Sequence, residues 1–255
     1  MQCKLNFHVS VTEFNRFILL LPIAFELIYF GFSFTAMPPS FMAIIAFPAM
    51  FIFPGVMLLA VLRKGIYTNA LQLVVEGFFI STVMAVMMTS VMLAQGLSLT
   101  SFNYSIVALS FVSIVTIIGF ARKIEIKPSK HDILLLALAF TVYVVLISCL
   151  GTFPRLFTPD ETSYIFSARM GILDGVIPPM VVMPNKSEVA ALLEGRCFWI
   201  YLLASFLGST GLPAYQAGLI GAGFLIMTAL ASSLMVKDKQ LSAVVFVAVT
   251  IDRSD

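Results

Sequence analysis

Two adjacent carboxylates, Asp160 and Glu161, stand out in a chain that otherwise carries little acid–base chemistry. They lie in the run Phe157-Thr158-Pro159-Asp160-Glu161-Thr162-Ser163-Tyr164, just after a long apolar stretch. A carboxylate pair at a membrane surface can act as a general base or ligate a divalent cation at head-group level. The same residues also make a good helix start. Thr158 would be the N-cap, Pro159 the first helical residue and Glu161 the third, a capping box with proline where its missing N–H does no harm. Asp160 would then stand against the positive end of the helix dipole. The pair thus has a structural reading, the cap, and a chemical one, in which Glu161 caps while Asp160 faces a cleft.

The elements that hold the pair are apolar throughout. The chain has 255 residues, 60% hydrophobic and 11% charged, with a mean hydropathy of +1.03. A soluble domain is about half apolar and a quarter charged. The apolar residues come in runs of about 20, the length that spans a hydrocarbon core. The expected fold class is therefore all-α, a polytopic transmembrane bundle of about seven spans plus a partial eighth. The spans read as Arg16 to Ala36, Phe41 to Leu62, Leu71 to Ala94, Tyr104 to Ala121, Asp132 to Leu150, Leu192 to Leu207 and Leu212 to Val236. Leu241 to Ile251 begins an eighth that is too short to cross. Each span must be helical, because unpaired backbone groups in lipid are too costly. Pro48 and Pro54 should kink the second.

Lys and Arg in the short loops set the expected orientation. Lys4 and Arg16 precede the first span, Arg63 and Lys64 follow the second, and Arg122, Lys123, Lys127 and Lys130 separate the fourth and fifth. The loops at 37–40 and 95–103 have none. The N-terminus is expected in the cytoplasm of a prokaryotic cell and the 151–186 loop outside its plasma membrane. Arg155, Arg169, Lys186 and the Lys237-Asp238-Lys239 run go against this rule. Residues 1–121 form a four-helix region, 122–131 a basic cytoplasmic linker, and 132–255 the region with the long loop. Tyr164 to Leu173 suits an interfacial helix in that loop.

Other residues are weaker candidates. Glu26, in the middle of the first span, must be protonated, paired or turned to a cavity at that depth. His8 and His131 look isolated, Cys3, Cys149 and Cys197 have no metal spacing, and no metal centre is expected from the residues themselves. Gly208, Gly211, Gly218, Gly221 and Gly223 favour close helix contact. A net charge of +2 gives no reason to expect nucleic acid.

The run Phe157 to Arg169, with its Phe-x-Pro-Asp-Glu pattern followed by Ala168-Arg169, resembles the first outer loop of the GT-C glycosyltransferases. The protein O-mannosyltransferase and aminoarabinose transferase branch is the most similar. The run Trp199 to Gly208 and the restart Gly211 to Ala217 also look like that family, so the resemblance covers about residues 132–236. It implies transfer of a sugar from a polyprenyl-phosphate carrier to an acceptor on the outer face. Asp160 and Glu161 would be the catalytic acids, with a divalent cation in metal-dependent branches. Arg155, Arg169 and Arg196 are the cations available for the carrier phosphate, where a guanidinium pairs in bidentate fashion, and Tyr164 would line the same substrate site. Members of that family are longer, so the resemblance implies a partial or truncated member, with a missing C-terminal half or a partner subunit. The alternative expectation is a non-catalytic membrane protein, part of a transporter or a scaffold subunit, in which Glu26 is the carboxylate that matters.

Overall fold

A computed structural model describes residues 11–35, 37–62, 66–67, 69–121, 125–126, 129–150, 159–174, 196–236 and 242–247. The described chain is helical, apart from one parallel two-residue pairing. Its elements are α1 (Val11–Phe32), α2 (Pro39–Phe51), α3 (Phe53–Leu62), β1 (Ile66–Tyr67), α4 (Ala70–Ala94), α5 (Ser101–Ala121), β2 (Glu125–Ile126), α6 (Lys130–Leu150), α7 (Pro159–Asp174), α8 (Arg196–Thr210), a 3-10 turn (Ala214–Gln216) and α9 (Leu219–Leu234). A last short helix, α10, covers 242–247. Five stretches are long and apolar enough to cross a membrane: Pro39–Leu62, Ala70–Ala94, Ser101–Gly119, Lys130–Cys149 and Ala214–Leu234. The chain is in this sense an integral membrane protein. The described apolar part of α1, Leu20–Phe32, and that of α8, Phe198–Thr210, are shorter.

The prolines break the second span as expected. α2 ends at Phe51 and α3 restarts at Phe53, with Ile52 between them at φ −125°. Pro54 has no N–H to donate, so the helix ladder cannot run through it. Ser81 of α4 stitches the break. Its hydroxyl accepts the Gly55 N–H at 2.6 Å and donates to the Ile52 carbonyl at 3.0 Å. The two helices approach so closely because Gly55 faces Gly77: a Cβ on either would overlap the other helix's backbone. α2 and α3 together form the most buried of the crossing stretches, packed by α1, α4, α5, α6, α8 and α9. A single apolar cluster runs through helices from both halves of the chain, with Phe47 of α2 against Tyr143 of α6 and Phe51 of α2 against Phe206 of α8.

The helix ends sort into two groups. At one end lie the short turns. α4 stops in a Schellman motif at Gly96 (φ 69°), where Leu97 N–H reaches the Met92 carbonyl at 2.9 Å and Gly96 N–H the Leu93 carbonyl at 3.0 Å. The Leu99 carbonyl of that turn lies against Gly208 near the end of α8. Tyr29, near the end of α1, donates its hydroxyl to the Ser209 carbonyl at 2.8 Å. Tyr143 of α6 donates to the Ala43 carbonyl at 2.9 Å, near the start of α2. This turn end therefore gathers the C-termini of α1, α4, α6 and α8 and the N-termini of α2, α5 and α9. At the opposite end β1 pairs with β2, and His131 Nε2 meets Ser242 Oγ at 3.2 Å.

These contacts correct the expected path of the last spans. With the 151–186 loop wholly on one side, Leu192 to Leu207 would run antiparallel to Asp132 to Leu150, and Leu212 to Val236 parallel to it. The structure runs both the other way: α8 ends at the turn end beside Tyr29 and Leu99, and α9 descends so that Ser242 reaches the start of α6. The polar contacts that set this direction join residues 180 and 111 positions apart, beyond what local charge counting reads. α6 and α8 both end at the turn end, so Arg196, which opens α8, stands at the opposite end.

Candidate functional site

α7 starts at Pro159, which puts Asp160 and Glu161 in its first turn. That agrees with the helix start read from the sequence. Their side chains, like all of Arg155, lie outside what is described. α7 packs along α8 and also touches the 3-10 turn at the turn end. Its inward face is Ile165, Ser167, Ala168 and Gly171; Phe166, Arg169 and Leu173 point outward. Tyr164 is half-buried on the apolar cluster. Arg196 opens α8, a helix of 15 residues, so it stands on the order of 21 Å from the turn end at 1.5 Å per residue. The sequence had grouped it with Arg169 near an outer loop; the direction of α8 removes it from that rim.

A second polar group, which the sequence reading only partly caught, lies inside the turn end. Glu26 is fully buried, between the middle of α1 and its end, six residues before the last. Neither of its carboxyl oxygens has a hydrogen-bond partner among the described residues. One turn on, Tyr29 is within electrostatic reach of both Glu26 and Tyr104. The Tyr104 and Thr89 hydroxyls are 2.7 Å apart, and Thr89 also donates to the Ala85 carbonyl at 2.9 Å. Ser209 Oγ and Thr210 Oγ1 both bond back to the Phe206 carbonyl. The signal for this cluster was present locally. Pro22, Glu26 and Tyr29 recur at four and then three positions, so they share one face of α1, and that face is the buried one.

His131 is not isolated, contrary to the sequence reading. It meets Ser242, and its Nδ1 is 3.8 Å from Asp132 Oδ1. The residue types are those of a Ser-His-Asp triad, but the roles are not. The Nδ1 separation exceeds hydrogen-bond range, and Asp132 is committed elsewhere. It accepts Ser129 N–H at 3.3 Å while Ser129 Oγ accepts Asp132 N–H at 3.1 Å, a reciprocal cap on α6. The group is a clasp between α6 and α10.

Among the described residues no three His, Cys, Asp or Glu side chains gather as metal ligands. Cys149 is exposed on α6; His8, Cys3 and the side chain of Cys197 lie outside the described set. Of the glycines, Gly208 and Gly223 do sit in close contact, the latter against the Phe47 ring, and Gly211 takes a positive φ of 68° in the turn after α8. Gly221 faces open space instead. No protein-family model, curated protein or solved structure matches the chain.

Proposed function

We propose that this chain is a membrane glycosyltransferase of GT-C type, or part of one, that takes a sugar from a polyprenyl-phosphate carrier. The observation that carries the reading is the position of the acidic pair: the first turn of a helix that follows a crossing helix, packs on α8 and reaches the turn end. Asp160 deprotonates or orients the acceptor hydroxyl while the anomeric carbon is displaced from the carrier phosphate. Glu161 caps the helix. Arg169, exposed on the same helix, and Arg155 supply the phosphate's countercharge, and Tyr164 packs beside the donor.

The turn end faces outward. Lys and Arg collect next to the ends of elements at the opposite pole: Arg63 and Lys64 after α3, Arg122, Lys123 and Lys127 around β2, Lys130 on α6, and Lys237 and Lys239 after α9. The turn between α1 and α2, the one at 95–100 and the one at 211–218 have none. By the positive-inside rule the basic end is cytoplasmic. With α9 running toward it, Lys237 and Lys239 cease to be exceptions. Cysteines placed at Ser98 and Tyr215 should react with an impermeant maleimide on intact cells, and one at Lys130 only after lysis.

The test of function is transfer from a radiolabelled polyprenyl-phospho-sugar pool in membranes that carry the chain. Asp160→Asn should lower transfer by about 100-fold or more, the usual effect of removing a general base, while the protein still elutes as a folded species. Transfer unchanged by this substitution defeats the proposal. A second reading has its own observation in the unpartnered carboxyl of Glu26. An ionisable group inside a membrane marks a proton or ion path by default, and that would make the chain part of a transporter. Glu26→Gln as the only change with a phenotype decides for it.

A further inference from the structure

Among the described residues a cavity opens between α4 and α5. α4 and α5 are joined by a short turn, yet along their lengths they scarcely touch. α3, packed against both, keeps them apart. The gap leaves a cavity of about 240 Å³ at mid-depth, with Met50 and Pro54 of the broken central helix at the back. Met84, Met87 and Met88 of α4 form one wall, and Val107 and Phe111 of α5 the other. Every lining residue is apolar. Its outer lip is Met87, 63% exposed, in line with the exposed Val83 and Val91 of α4. These residues sit in the middle of crossing stretches, so the mouth opens onto hydrocarbon and not onto water.

We propose that this cavity holds one acyl chain of a bilayer phospholipid, entering sideways between α4 and α5. This rests on the chain being a membrane protein and is independent of the transferase reading. An all-apolar cavity stays dry, and one of 150 Å³ takes a benzene ring, so the larger space here fits a chain segment on the order of eight to ten carbons. Left empty it would forfeit the dispersion contacts of its whole lining. Methionine suits the task, because an unbranched, polarizable side chain adapts to a flexible guest. No polar group is present to bind a head group, which stays at the membrane surface while the distal part of its chain reaches the site. The guest completes the packing around the Pro54 break, where the central helix is weakest.

Purified chain in phospholipid nanodiscs, with a few mol% of a phospholipid bearing a diazirine at mid-acyl chain, tests this by irradiation and peptide mapping. Exposed residues such as Ile117 and Leu134 will be labelled in any case. Met50, only 2% exposed, is labelled only if a chain enters. The expected result is a Met50 adduct that falls at least tenfold in Ala108→Phe, which fills the cavity, with the Ile117 adduct unchanged. Ala85→Leu is the second variant should Ala108→Phe fail to fold. A Met50 that is never labelled while Ile117 is, or a Met50 adduct indifferent to either filling variant, overturns the proposal. So does a Met50 adduct that excess polyprenyl phosphate abolishes and excess unlabelled phospholipid does not, which would make the guest an isoprenoid chain.

Discussion

Replacing Ser81 with alanine should destabilise the bundle by about 1–2 kcal/mol, through one orphaned backbone group. The Ser81 hydroxyl, fully buried, serves two backbone groups at the break between α2 and α3. They do not suffer equally when it is lost. The Ile52 carbonyl also accepts the Val56 N–H at 3.1 Å, so it keeps a partner. Among the described residues the Gly55 N–H has no second acceptor, and it cannot gain water at mid-membrane. An unsatisfied buried N–H costs about 1–3 kcal/mol, and hydrogen bonds inside membrane bundles have measured about 0.6 on average and about 1.7 at most. The overlap of those ranges, about 1–1.7 kcal/mol, sets the expectation, roughly a 5- to 20-fold loss in the folded ratio. The assay is reversible unfolding in mixed micelles against a rising fraction of denaturing detergent. Ser90→Ala is the control: its hydroxyl donates at 2.9 Å to the Val86 carbonyl on its own helix and relieves no break, so the change should stay within about 0.5 kcal/mol. Equal effects of the two substitutions would refute the idea that Ser81 holds the central helix together.

Gly55→Ala should be worse than Ser81→Ala, on the order of 3 kcal/mol, because its Cβ meets the Gly77 backbone and only a helix shift relieves it. Gly221→Ala, where nothing lies within 4 Å, should be neutral or stabilising by up to about 1 kcal/mol in the same unfolding assay. Tyr143→Phe removes the bond to the Ala43 carbonyl and keeps the ring against Phe47, so about 1 kcal/mol should be lost with no change in protein yield.

Much of this architecture was legible in the residues. Runs of apolar length gave the five crossing helices out of about seven expected, Pro48 and Pro54 gave the break, and Pro159 gave the start of α7, because each signal is local. What failed was the direction of α8 and α9. Charge counting assumes that cations in a loop report its side, and the long 151–196 stretch supplies cations for other reasons. The decisive contacts, Tyr29 with Ser209 and His131 with Ser242, join residues far apart in sequence. The Ser81 stitch was invisible for a related reason: a serine in an apolar run looks like any other until the break it serves is placed beside it. Glu26 was noticed for its charge, but its Tyr29 and Tyr104 neighbours were not, since tyrosines are common near helix ends.

The reversed path of α9 sharpens the case for chemistry in the 151–196 stretch. Once Lys237 and Lys239, like Arg196 at the start of α8, join the basic end, the Lys and Arg residues that the proposed polarity leaves over are Arg155 and Arg169, with Lys186 in the sequence between α7 and α8. These fall in one stretch of sequence, the one that also contains Asp160 and Glu161. Cations on the outer side work against insertion with that polarity, and surface packing gives no reason to concentrate them there. Under the proposed transferase reading, the carrier phosphate does. A phosphate drawn to that face would neutralise the arginines and leave Asp160 as the nearby group able to take a proton, which is the division of labour that sugar transfer from a phosphate carrier needs.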